Sequence, residues 1–158
     1  MRVSIDQLSN DARTWIFGIS PALDRQKSDL LLRRVEAFID TWASHGTPIT
    51  AAAEVKEGSF LVVAADERSE RSGCSIDRMF ATLRELEREL GVQILDSTRV
   101  FYRDSDREVR AVGRSEFRNA ADEETPVFDV TAERLGEVRQ GAWERRAADS
   151  WHRQLLLA

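Results

Sequence analysis

Apolar residues along this chain form either short continuous runs or stripes of helical period. The first run, residues 15–19, is closed by a serine and Pro21, which predicts a central strand buried on both faces. Between Leu31 and Trp42 apolar positions recur every three or four residues, which indicates an amphipathic helix. Possible caps place its start between residues 24 and 28 and its end at Gly46.

The same two patterns then repeat. Residues 49–55 and 60–64, joined by a glycine-containing turn, predict a hairpin. A second apolar stripe follows over residues 76–90, with Ser75 as the expected N-cap and Gly91 as the stop. Residues 99–103 and 109–112 predict another hairpin.

The order strand, helix, strand, strand, helix, strand is typical of an α+β fold. It predicts a ferredoxin-like (βαββαβ) antiparallel sheet with two helices on one face. We expect a single domain over residues 1–158, with a core at about 14–103 and a carboxyl-terminal hairpin and helix extension at about 104–158. Within the extension the sequence predicts a helix at 115–122, a strand at 126–130 and a helix at 131–139.

Composition narrows the classes of function. The 23 basic and 28 acidic residues give a net charge of −5, which argues against nucleic acid as a partner. One cysteine and two distant histidines offer no metal-ligand spacing, and we expect neither a metal nor a cofactor. The longest apolar run, residues 60–65, is far shorter than the roughly 20 residues that span a bilayer. These features indicate a cytoplasmic protein without membrane insertion.

The predicted topology brings two unusual residues to one edge of the sheet. His45 would lie in the last turn of the first helix, and Cys74 would lie at the start of the second. The end of the fourth strand, Tyr102 and Arg103, would approach them. A helix amino terminus favours a thiolate, and the last turn of a helix favours a charged imidazole. A thiolate–imidazolium pair with Cys74 as nucleophile and His45 as base would follow.

Simpler roles account for the same residues. Ser72, Ser75 and Asp77 are capping residues, Gly73 supplies a turn, and a lone cysteine is often a buried apolar side chain. Free N–H groups at the helix start could instead bind a ligand. The candidate ligand-binding residues are therefore His45, Gly46, Ser72, Gly73, Cys74, Ser75 and Asp77.

Several segments together resemble a known family. The residues concerned are Trp15, the helix end at 42–46, the turn at 72–77, the 101–102 strand and Trp151. They resemble a bacterial family of about 160-residue proteins that are often labelled "ABC transporter ATPase". An ATPase of that kind needs a GxxxxGK[ST] loop, and neither lysine of this chain follows a glycine. We therefore reject nucleotide hydrolysis by this chain.

A second similarity concerns the carboxyl-terminal third. The strand with Phe101 and Tyr102, a hairpin, a short helix, then Phe128 and Trp143 is loosely similar to peptide-binding domains of the GYF type. Those domains dock extended ligands on aromatic residues. The alternative is that these aromatic residues pack the tail onto the core.

The sequence favours a non-enzymatic module that binds a small molecule or a protein. The alternative is a thiol-dependent enzyme or redox sensor that uses Cys74 with His45. A third class, edge-to-edge pairing of sheets into a homodimer, is common for this architecture.

Overall fold

The computed structural model describes residues 1–157, which form two main antiparallel sheets, a small two-stranded sheet and a layer of two long helices. The first sheet contains β1 (Arg13–Gly18), β4 (Ala51–Lys56) and β5 (Phe60–Ala65) in the order β1-β5-β4. The prediction that residues 15–19 form the central strand is wrong, because β5 occupies the centre. All six β5 residues are buried, whereas β1 lies at an edge.

Both long helices cover one face of this sheet, as predicted. Their apolar stripes, which include Leu31 and Ile39 on α1 (Arg25–Thr41) and Leu83 on α2 (Gly73–Leu90), pack against the sheet in one core cluster. Asp24 caps α1, since its carboxylate accepts the Lys27 N–H at 2.8 Å.

The end of α1 differs from the prediction. The helix stops at Thr41, and Trp42 is extended. A two-residue ladder follows, in which β2 (Ala43–Ser44) pairs with β3 (Thr47–Pro48). His45 is therefore in a tight turn rather than in the last turn of α1. The buried Trp42 ends the helix here because its indole is fixed against α2.

The second sheet covers the other face of the first. Its strands are β6 (Val100–Arg103), β7 (Val109–Val112), β8 (Pro126–Phe128) and β9 (Glu144–Arg146), in the order β7-β6-β8-β9. The α+β class, the antiparallel sheets and the 99–112 hairpin are confirmed. The strand predicted to complete the first sheet, however, pairs with the carboxyl-terminal strands instead.

The carboxyl-terminal segment has less helix than predicted. The short helix α3 (Arg114–Ala120) is confirmed, and α4 (Arg153–Leu157) follows the last strand. Residues 131–139 form isolated 3-10 turns, not a helix. The reason is that their amides bond elsewhere: the Leu135 and Gly136 N–H groups donate to the carbonyls of Ala12 and Asn10.

Candidate functional site

The predicted site begins where the end of α1 meets the start of α2. The indole N–H of Trp42 donates to the carbonyl of Ser75 at 2.8 Å, and this bond is buried. Ser72, not Ser75, is the N-cap of α2: its Oγ accepts the Ser75 N–H at 3.1 Å, and Ser75 Oγ accepts the Ser72 N–H at 2.9 Å. The two serines form a capping box.

His45 and Gly46 form the turn between β2 and β3. Both residues are exposed, with φ angles of 50° and 79°. Successive left-handed residues are typical of a two-residue hairpin turn. His45 therefore does not belong to the last turn of α1.

Gly73, Cys74 and Asp77 are exposed on the first turns of α2, with Cys74 second in the helix. Cys74 is thus not a buried structural residue. Within residues 1–157 no hydrogen bond joins it to His45, and the thiolate–imidazolium pair stays a prediction.

Arg103 lies elsewhere, at the opposite end of the first sheet. Its guanidinium bridges Glu57, in the β4–β5 turn, and Glu144, with both ion pairs at 2.9 Å. The two carboxylates raise the pKa of Arg103 further above its ordinary value. The expectation that the end of the fourth strand approaches Cys74 is therefore wrong.

A different feature lies along the outer edge of β1. The Ile19 N–H donates to the Ser59 carbonyl, next to the β1–β5 ladder. Because bonding directions alternate along an antiparallel strand, Thr14, Ile16, Gly18 and Ser20 must direct their backbone groups away from β5.

The two ends of this edge are paired, and its middle is not. The Thr14 N–H donates to the Glu133 carbonyl at 2.9 Å, and Ser20 exchanges two bonds with Gln93 at 2.8 and 3.0 Å. Among residues 1–157, no backbone group bonds to the outward N–H or C=O of Ile16 or Gly18. The N–H and C=O groups of Ile16 and Gly18, between the paired residues Thr14 and Ser20, are thus left without protein partners.

A cavity of about 480 Å³ follows this unpaired segment. Successive strand residues point to opposite faces, so a cavity lined by residues 16–18 together must run along the strand edge. We call this cavity the β1 groove. Its helix-side wall includes Phe17, Phe80 and Leu95, and its sheet-side wall includes Ile16, Phe101 and Trp151.

Gly18 keeps the groove wall close to β1. A Cβ atom at this position would lie 2.2 Å from Cε2 of the Phe101 ring, so only glycine lets that ring pack over the strand. Phe101 of the second sheet is thereby held against the face of β1, where its ring lines the groove.

Charged side chains line one part of the groove. Arg99 is 3.6 Å from Asp96, and Arg114 lies over the Trp151 ring at 6.0 Å from its centroid. No carboxylate of residues 1–157 lies within ion-pair distance of Arg114. Two guanidiniums and one carboxylate thus line the groove, and the carboxylate pairs with Arg99.

Three of the aromatic residues that resemble a GYF-type surface, Phe101, Phe128 and Trp143, lie in the core, and Tyr102 is half-buried against Phe117. Phe128 and Trp143 are buried and pack on Phe60, with ring centroids 4.7 and 4.6 Å away. Packing of the tail onto the body therefore accounts for them.

Residues 1–157 include no helix that is long and apolar enough to cross a membrane. The same residues include no cluster of three histidine, cysteine or acidic side chains that could hold a metal ion. No protein-family model, curated protein or solved structure matches the chain.

Sequence reasoning missed the β1 groove because the ferredoxin-like prediction placed the 99–103 strand in the same sheet as β1. One signal was available: this strand has a hairpin partner in residues 109–112 and a further strand at 126–130 in the same segment. A strand with two partners of its own cannot also pair with β1.

Proposed function

We propose that this protein is a non-enzymatic binding module whose β1 groove accepts a short extended peptide as an additional strand. The observation that carries the proposal is the unpaired backbone of Ile16 and Gly18 inside an apolar cavity. Unpaired strand edges bind extended chains through backbone hydrogen bonds, and adjoining pockets select side chains.

The size of the groove agrees with this ligand. The edge from Thr14 to Ser20 measures about 20 Å at the usual rise of a strand, and because both end residues are already paired it leaves room for about five extended residues. A volume of about 480 Å³ is in the usual range for ligand sites. The paired ends at Thr14 and Ser20 limit the added strand to this length.

Residue-resolved amide exchange tests the proposal. A synthetic library of hexapeptides with free carboxyl termini is screened against the full chain, and exchange is measured at saturation with the tightest binder. We expect exchange at Gly18 and Ile16 to slow by about tenfold or more, because their N–H groups gain acceptors. Exchange at Trp15 and Phe17, which already bond to β5, should change little.

A matched pair of variants locates the ligand. Ser97 is exposed and lines the groove, so Ser97→Trp should fill it and weaken binding by about tenfold or more. Ser105→Trp, in the exposed β6–β7 turn, should bind as the parent does. The proposal fails if no hexapeptide protects Ile16 and Gly18. Protection at residues 45–46 and 72–77 would move the site to the predicted helix-end edge.

The thiol alternative is supported by the exposure of Cys74 at the second position of α2. The two functions differ in one variant. A peptide-binding module keeps its affinity in Cys74→Ser, since this residue is outside the groove. A thiol enzyme would lose its activity in that variant and would show covalent labelling at Cys74.

A further inference from the structure

The β1 groove has a polar end. Arg99 lines both the groove and the adjoining cleft that contains Ser20, Pro21 and Gln93. Arg99 therefore marks the end of the groove at which β1 finishes.

Arg114 is the first residue of α3, which begins directly after β7, and it lines the same groove. The β6–β7 register pairs Val100 with Val112, so Arg99 and Arg114 lie just beyond the paired ends of adjacent strands. Asp96 is the carboxylate within reach, and it pairs with Arg99 at 3.6 Å. The cluster keeps an excess of one positive charge, although the whole chain carries a net charge of −5.

The groove is also closed at this end. Ser20 and Gln93 exchange two backbone hydrogen bonds, which occupy the edge directly after Gly18. An added strand cannot continue past this point. A peptide that ends here places its terminal carboxylate beside the two guanidiniums, which suit planar carboxylate groups.

We infer that the β1 groove recognises the carboxyl terminus of its peptide, with Arg114 and Arg99 binding the terminal carboxylate. This inference rests on the proposed function. Because the polar end is where β1 finishes, the peptide runs parallel to β1. An internal segment lacks the terminal charge and has no exit at the Ser20 end.

A comparison of two forms of one peptide tests this inference. The tightest hexapeptide is synthesised as the free acid and as the carboxamide, and both are titrated against the full chain. We expect amidation to weaken binding by about tenfold, with a smaller difference in high salt, because the cluster is partly exposed to solvent. Amide exchange at Ile16 and Gly18 is followed for both forms.

Arginine variants identify the groups involved. Arg114→Gln should weaken the free acid to the level of the carboxamide and leave the carboxamide unchanged, whereas Arg114→Lys should recover part of the loss. Arg110→Gln makes the same change in net charge at an exposed residue that pairs with Asp104, and should have no effect.

The outcomes separate the two proposals. Equal affinity of acid and carboxamide, with Ile16 and Gly18 protected by both, would overturn carboxylate recognition and leave the peptide groove intact. Equal weakening of both forms by Arg114→Gln would likewise overturn carboxylate recognition alone. Failure of every hexapeptide to protect the two amides would overturn both proposals.

Discussion

His152 is the buried titratable residue whose environment has the clearest consequence. It is 1% exposed, its ring stacks on Trp151 at 4.0 Å, and Nδ1 lies 2.8 Å from the Ser150 Oγ. Burial lowers the pKa of His152 to about 4, with Asp129 opposing and Arg145 reinforcing the shift. The imidazole is therefore neutral in the folded protein at neutral pH.

This pKa shift makes stability depend on pH. Between about pH 6.5 and pH 4 the unfolded chain binds a proton at His152 and the folded chain does not, so the free energy of unfolding falls as pH falls. We expect His152 to lower the free energy of unfolding by about 3 kcal/mol as the pH falls from 6.5 to 4. Chemical denaturation at several pH values should measure it.

Two variants isolate this contribution. His152→Gln should flatten the pH dependence between pH 6.5 and 4, whereas His45→Gln, at an exposed turn, should keep it. An unchanged slope in His152→Gln would mean that other groups cause the acid destabilisation.

At the scale of elements, α2 has a glycine at each end, and the two glycines have different roles. Gly91 ends the helix with φ of 68°, and its N–H donates to the Glu87 carbonyl. Gly73 begins it, next to the Ser72 cap. A Cβ atom would have no neighbour within 4 Å at either glycine. Backbone conformation alone therefore distinguishes the two positions.

Substitution by alanine should have opposite effects at these positions. Gly91→Ala should lower the free energy of unfolding by about 1 kcal/mol, because alanine is strained at positive φ. Gly73→Ala should raise it by about 0.5 kcal/mol, because the unfolded chain loses freedom and the helix gains a better former. Equilibrium unfolding in urea measures both, and a loss at both positions would contradict this account of Gly73.

At the scale of the molecule, Phe60 joins the two sheets. It is fully buried in β5, and its ring packs against Phe101, Phe128 and Trp143 at centroid distances of 5.2, 4.7 and 4.6 Å. The first sheet and the carboxyl-terminal strands thus share one core cluster, and we expect them to unfold together.

Truncation of this residue tests the coupling. Phe60→Ala should cost about 3–5 kcal/mol while unfolding stays a single transition. Phe38→Ala, at a half-buried position on the outer helix layer, should cost less. Separate transitions for residues 104–157 and the helical layer would show two independent units.

Local pattern determined most of the elements. The period of three to four in the apolar positions of α1 and α2 and the tight-turn signals of the β4–β5 and β6–β7 hairpins are properties of neighbouring residues. Two predicted caps, Asp24 and Gly91, are confirmed, whereas Ser72 replaces Ser75 as the cap of α2 and α1 ends before Gly46. The candidate residues Ser72 to Asp77 were located correctly at the start of α2 for the same reason, whereas His45 and Gly46 lie in the β2–β3 turn and not at the end of α1.

Only the tertiary structure decided which strands pair and which edge stays open. Any strand of suitable period satisfies its hydrogen bonds equally well with several partners, so the partner of β6 depends on which arrangement buries the most apolar surface around Phe60. Because β6 pairs with β7 and β8, it does not join the sheet that contains β1, and Ile16 and Gly18 face a groove. The sequence by itself determined the elements, because helix period and turn chemistry are local. The site depended on contacts between residues distant in the chain, because burial is shared by the whole molecule.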